Sequence, residues 1–408
     1  MALTLAWVLT LGAPVSAAPG DLDTSFSGDG RQVVDLGGSE EAYAVAIRPN
    51  GKILIVGTTN AGGDSDFLIV QLEEDGDLDA SFGGGDGVVT TDFFGGYDSA
   101  YALTLLGSGK FLVAGQATDG QGKSRFAVAR YRASGALDAN FAKGGRRTVR
   151  FGKNVTALAI VRLPDGSMVL VGRTYSPGSN FALARLTKGG SLVKAFGRKG
   201  RVTTDFGGRD DFASTAIRRG KRILVAGGSA ASFSEVDVAL ARYRFGGRLD
   251  ERFGHRGKRR VSMIPSRDWA NDLILLPSGR FVVVTYALND IGLARFRPNG
   301  ILDSDFGGGD GKVLADFGGN EAGAALVRAG TKLVVAGSSD VSGSYDSAVF
   351  RFRLNGGVDG GFGSGGFALV GGPPSNTAWG VALQDSKIVT AGYSETVGGD
   401  LVAARFLG

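Results

Sequence analysis

The chain has 408 residues, with 45 lysines and arginines against 40 aspartates and glutamates, 69 glycines, one histidine and no cysteine. It exceeds the size at which one hydrophobic core keeps growing, so it must divide into domains or repeat a unit. With no cysteine and only His255, thiolate catalysis, disulfides and metal centres built on cysteines or several histidines are excluded.

In chain order, Ala2 to Val15 is apolar and leads into Val15-Ser16-Ala17-Ala18. That pattern matches the h-region and small-residue cleavage site of a secretory signal, although a basic n-region is missing. Residues 1–18 are therefore expected to be a signal peptide, and residues 19–408 a single domain that is secreted, periplasmic or cell-surface. The stretch is shorter than the roughly 20 residues a bilayer span needs, and nothing later is apolar enough, so no transmembrane segment is expected.

From residue 22 onward one anchor recurs seven times: LDTSF, LDASF, LDANF, LVKAF, LDERF, LDSDF and VDGGF, ending at Phe26, Phe82, Phe141, Phe196, Phe253, Phe306 and Phe362. The period defines repeats 22–77, 78–136, 137–191, 192–248, 249–301, 302–357 and 358–408, too long for anything but a propeller or solenoid. Each repeat carries four short apolar segments, seen in the second as GVVTTDF, SAYALTLL, KFLVAGQ and FAVARYR. Glycine, about 17% of the chain against the usual ~7%, supplies the turns between them. The expected fold is all-β, a seven-bladed β-propeller of four-stranded antiparallel blades. An open β-solenoid is the alternative, disfavoured because short turns imply antiparallel meanders. The last repeat ends at Ala404-Arg405-Phe406-Leu407-Gly408, so LDTSF at Leu22 is expected to dock beside it and close the ring.

LDASFGGGDGVVTTDF, the third-strand strings DGSMVLVG and KLVVAG, and the fourth-strand strings FAVARYR and VALARYR resemble the bacterial delta-60 repeat family over residues 20 to 408. The resemblance implies a secreted or surface-associated β-rich repeat protein, with no catalytic residues to carry over. Val193 replaces the anchor aspartate in the fourth repeat and Thr285 the usual glycine in the fifth, so local irregularity is expected in both.

The anchor aspartates Asp23, Asp79, Asp138, Asp250, Asp303 and Asp359 suit a turn in which the carboxylate accepts a nearby backbone N–H. Calcium binding by Asp29, Asp86 and Asp310 is the alternative role for loop carboxylates, but no EF-hand spacing supports it. Arg130, Arg185, Arg242, Arg295, Arg351 and Arg405 recur in the fourth strand, with Gln71 in the first repeat. A guanidinium on a half-buried face needs a partner, and the anchor aspartate is the expected one.

Strand order sorts the loops: connections after the first and third strands fall on one face, those after the second and fourth on the other. Residues 137–301 hold 30 lysines and arginines against 12 aspartates and glutamates. Arg146, Arg147, Arg198, Lys199, Arg219, Lys221, Arg222, Lys258, Arg259 and Arg260 fall in segments of one face across three adjacent blades, a basic sector suited to a polyanion or polysaccharide. The opposite face brings Tyr97, Asp98, Asp211, Asp268, Trp269 and Trp379 toward the axis, where aromatic planes beside carboxylates suit a sugar or peptide. His255 sits in a basic turn and is expected to be exposed. No catalytic constellation, cofactor, metal site or specific nucleic-acid motif is visible, and the oligomeric state is not encoded legibly. The reading is a binding or surface-interaction propeller, with a carbohydrate-active enzyme and a passive envelope or extracellular scaffold as alternatives.

Overall fold

The computed structural model describes residues 17–152, 154–175, 178–207, 210–230, 232, 235–371, 375–395 and 399–408; most of the expected signal peptide, residues 1–16, lies outside them. Among the described residues the chain forms 28 strands in seven four-stranded antiparallel sheets. This is the expected seven-bladed β-propeller, and no described helix is long and apolar enough to cross a membrane.

The blades do not coincide with the sequence repeats. Blade 2 comprises Asp98–Leu105, Phe111–Thr118, Ser124–Tyr131 and Arg146–Val149, so its outermost strand comes from the next repeat. Blade 1 (Glu40–Ile47, Ile53–Thr59, Asp66–Leu72, Val88–Thr91), blade 3 (Val155–Arg162, Met168–Thr174, Phe181–Leu186, Arg201–Thr204), blade 4 (Asp210–Arg219, Arg222–Ala230, Val236–Arg244, Lys258–Val261) and blade 5 (Asp268–Leu275, Phe281–Ala287, Asp290–Phe296, Lys312–Ala315) are built alike. Grouping four strands within one repeat is thus wrong by one strand. The physical reason lies in the anchor, which is a turn: Leu78 bridges Leu72 and Leu137 bridges Tyr131, folding the chain back antiparallel onto the strand just completed.

The same phase closes the ring. Arg31–Val34 pairs with Asp400–Phe406, and Leu22 bridges Phe406 as its counterparts bridge theirs. Blade 7 is therefore three strands from the last repeat and one from the first.

Burial explains the continuous apolar strings. Each blade is covered on both sides by its neighbours, so Ile53–Thr59 is buried along its whole length rather than on alternate residues. The core is accordingly a series of layers between blades: Leu54, Val56, Phe67, Ile69 and Phe82 of blade 1 pack against Ala100, Phe111 and Val113 of blade 2. All seven anchor phenylalanines are fully buried.

The anchor carboxylate holds in place an arginine that ties its blade to the next. Arg242 Nε donates to Asp250 Oδ2 at 3.0 Å, and the same pairing recurs as Arg130–Asp138 at 2.8 Å and as Arg295–Asp303, Arg351–Asp359 and Arg405–Asp23 at 2.7 Å. A second cation at the start of the blade's second strand, the third segment of the repeat, meets the same carboxylate: Lys110, Arg222, Arg280, Lys332 and Lys387. The guanidinium lies over the anchor ring, 4.9 Å from Phe253 for Arg242, and its Nη1 crosses to the next blade's turn, onto Pro298 O at 2.6 Å. Where Val193 replaces the anchor acid, Arg185 of the preceding repeat finds Asp165 at 2.5 Å instead. Where Gln71 replaces arginine, Arg48 supplies the crossing and donates to Gly109 O at 2.6 Å and Ala133 O at 3.0 Å.

Each innermost strand carries a β-bulge at its fourth or fifth residue, between Ala42 and Ala44 in blade 1 and at the matching place in the other six. The third-strand glycine faces it. A Cβ on Gly172 would stand 1.9 Å from Thr156 O, so a side chain there collides with the bulged backbone. Blade 5 solves the same problem by exchange: Thr285 occupies the glycine position while Gly292, its cross-strand partner, makes room for the threonine hydroxyl. The expected irregularity is absent, since bulge and pairing are both kept.

Gly172→Ala should destabilise the protein by about 2–4 kcal/mol, because the bulge cannot be kept without backbone movement. Urea denaturation checks this; an unchanged midpoint would show that the bulge does not depend on the glycine.

Candidate functional site

The seven bulges converge on the axis. Residues of every innermost strand line a central channel of about 730 Å³, and the residue protruding at the bulge differs from blade to blade: Tyr43, Tyr101, Leu158, Ser214, Asn271, Ala324 and Trp379. Neighbouring wall positions are mostly small or aliphatic, among them Ala44, Ala102, Ala159, Ala216 and Ala325. A bulge re-aims one side chain toward the lumen without disturbing the outer strands, so the repeated scaffold presents seven independent choices to the channel.

Of the six axial residues expected from sequence, Trp269 and Trp379 line this channel, the latter 40% exposed. Tyr97 is 46% exposed but sits in the connecting loop outside the lining. The three aspartates are a correction: Asp98, Asp211 and Asp268 are fully buried and do not face the channel. Asp98 accepts Phe93 N at 2.7 Å and Thr118 N at 3.1 Å. Asp268 accepts Val238 N at 3.0 Å and Met263 N at 2.9 Å, and Asp211 accepts Phe206 N at 2.6 Å. Backbone amides left over where the outer strand of one blade crosses to the next must be satisfied, and these carboxylates do it. Glu40, Glu321 and Asn376 hold the same position elsewhere, with Glu321 accepting Gly319 N; in blade 3 Val155 takes that position and Asn154, one residue earlier, accepts Ser124 N. Burial pushes Asp98 up to about 7 and Asp268 up to about 6, against the pull of their amide donors.

Three acidic groups, Asp35 with Glu40 and Asp400, Asp66 with Asp92 and Asp98, and Asp290 with Asp316 and Glu321, bring their carboxylates within 4.8 Å. Each contains one of these amide-capping acids, so the clustering has a structural cause. Asp29, Asp86 and Asp310 likewise receive the N–H two residues on, of Arg31, Val88 and Lys312, as turn residues do.

Sequence reasoning missed the cations of the channel. Arg173 lies 4.8 Å from the Tyr175 ring centroid and 5.8 Å from that of Phe212; Arg267 lies 5.8 Å from that of Trp269. Trp269 stacks on Tyr286 at 4.4 Å and meets Phe212 edge-on at 6.1 Å. Its indole N–H donates to Asn271 Oδ1 at 2.9 Å, and Asn271 in turn donates to Gly323 O at 2.8 Å, fixing the ring. The one signal available was that Arg173 replaces a small or polar residue after the third-strand glycine. Asp272 is the carboxylate on the wall among the described residues, and its oxygens accept Thr215 Oγ1, Leu273 N and Leu326 N at 2.7 to 3.0 Å.

The basic residues divide between two places. Arg219, Lys221 and Arg222 are in the hairpin following the innermost strand of blade 4, whereas Arg146, Arg147, Lys258, Arg259 and Arg260 lie on outermost strands and thus on the rim. Arg198 and Lys199 precede the outermost strand of blade 3 and are exposed. Several carry structural bonds: Arg222 to Asp250 at 2.7 Å, Arg260 to Asp237 at 3.4 Å, Lys258 to Asp205 O at 2.8 Å, and Arg146 to Asp92 O. Between blades 2 and 3 a groove of about 600 Å³ is lined by Arg150, Arg198, Lys199 and Arg201. His255 is exposed in its turn.

Four segments, residues 48–82, 106–141, 163–192 and 332–362, match the family model described as "Domain of unknown function (DUF5122) beta-propeller". No curated protein matches the chain. Among solved structures it is similar to Sqt1 from Chaetomium thermophilum, at 13% identity and TM-score 0.48 over 91% of this chain and 97% of that one. It is also similar to YCF48 bound to D1 peptide, at 9% identity and TM-score 0.49 over 98% and 100%. The β-propeller domain of the Trilobed protease from Pyrococcus furiosus is similar at 10% identity and TM-score 0.44 over 89% and 95%.

The buried caps generate a pH dependence. A carboxyl raised from its ordinary value near 4 to about 7 contributes stability that is fully present below pH about 4 and lost as pH rises through 7. The stability difference between wild type and Asp98→Asn should therefore shrink between pH 4 and pH 8. Melting curves across that range check it, and a constant difference would contradict the burial of this carboxyl.

Proposed function

We propose that this is an exported, non-catalytic binding propeller whose basic sector docks an acidic polysaccharide. The observation that carries the reading is the groove between blades 2 and 3, where Arg150, Arg198, Lys199 and Arg201 converge with no carboxylate in the lining. Blades 2, 3 and 4 are consecutive, and the outermost strands of blades 2 and 4 carry Arg146, Arg147, Lys258, Arg259 and Arg260 on either side of this groove. Such a surface meets a polyanion as a local field, whatever the modest net charge of the whole chain. Export rests on the apolar N-terminal segment and its small-residue site. A carbohydrate-active enzyme is disfavoured because Asp98, Asp211 and Asp268 are fully buried and accept backbone amides, and both oxygens of Asp272 are occupied.

The protein should be retained on a heparin column beyond a globular protein of equal net charge. Retention should weaken with salt as the Debye length falls from about 10 Å at 0.1 M to about 3 Å at 1 M. The triple variant Arg198→Glu, Lys199→Glu, Lys221→Glu, in which three exposed side chains change, should lose retention and keep its melting temperature. Elution of the wild type with the control would leave the basic sector a solvated surface and favour the passive scaffold.

A further inference from the structure

We infer that the mouth of the central channel is a second, separate binding site, for a carboxylated saccharide held end-on. The residues are Arg173, Arg267, Phe212, Trp269 and Trp379. Arg173 and Arg267 reach the same end of the channel from blades 3 and 5, and among the described residues neither forms an ion pair, unlike the fourth-strand arginines. A guanidinium stacked over an aromatic ring keeps its in-plane N–H edges for another acceptor, and those edges match a carboxylate. The Nε of Arg173 is buried and unbonded, a donor in place with no acceptor.

The neighbouring surfaces fit a sugar ring. Trp269 is locked by its indole hydrogen bond and its stack on Tyr286, so its orientation costs nothing further on binding. Trp379, 40% exposed, faces the lumen from blade 7, so the channel offers a second aromatic plane. Ser214 also lines the wall, and its hydroxyl can exchange hydrogen bonds with those of a sugar. Aromatic stacking beside arginine also suits single-stranded nucleic acid. The Asp272 carboxylate, further along the strand than Arg267, argues against that, because a phosphate chain running down the channel would pass it, whereas a saccharide held end-on at the mouth need not.

The test uses the protein's own reporters. Trp269 and Trp379 are the tryptophans among the described residues and both line the channel, so intrinsic fluorescence reads this site. Titration with trigalacturonate should give a saturable change; its fully methyl-esterified form and an eight-residue oligothymidylate should not. Arg173→Gln with Arg267→Gln should weaken the apparent Kd at least tenfold, with circular dichroism as the folding control. If that pair does not fold, Arg267→Gln alone, an exposed side chain, replaces it. The basic-sector triple variant should respond like wild type, which separates this site from the rim. A flat titration, an equal response to the ester or the oligonucleotide, or arginine variants that bind unchanged would each overturn the proposal.

Discussion

A buried carboxylate held by two cations is the interaction on which the ring depends. Asp250 shows the arrangement: Arg242 at 3.0 Å from its own blade's third-in-line strand, Arg222 at 2.7 Å from the strand beside it, and the Phe253 ring beneath the Arg242 guanidinium. Burial alone would raise such a carboxyl; the two guanidiniums hold it below the ordinary range. Lysine could neutralise the charge but could not also lie flat on the ring and reach across to the next blade's carbonyl, which is what the planar fork of arginine does. The substitutions obey the same logic, since Arg185 turns to Asp165 and Arg48 stands in beside Gln71.

The anchor and its partner were legible because they repeat in the chain with fixed spacing. Phase was not. The LD-x-x-F string reads equally well as the start of a blade or as a turn within one, and only the bridge from Leu78 back to Leu72 decides between them. The axial carboxylates misled for a related reason: Asp98, Asp211 and Asp268 look like loop acids in sequence, yet three-dimensional burial turns them into caps for backbone amides of the neighbouring blade. Bulges left no trace either, because a one-residue slip inside a run of alanine and glycine does not alter an apolar pattern. The glycine exchange between Thr285 and Gly292 is visible only once cross-strand partners are known.

Repetition and variation therefore divide the molecule. Positions that recur in most blades (the anchor phenylalanine, its aspartate, the third-strand glycine, the capping acid or amide) build and close the ring. Positions that differ are the lumen-facing bulge residues and the rim cations concentrated on blades 2 to 4. A scaffold with these roles separated can change what it binds through the second set without disturbing the first.

The closure of the ring tests the central claim most directly, because there the carboxylate and its arginine come from opposite ends of the described chain. A double-mutant cycle on Arg405 and Asp23, using Arg405→Met and Asp23→Asn and read by urea denaturation, isolates their coupling. The account predicts a coupling of about 2 kcal/mol or more, since each single variant strands a poorly solvated partner. Additive single effects would mean that the anchor pair is incidental and that the ring is held by apolar packing between blades alone.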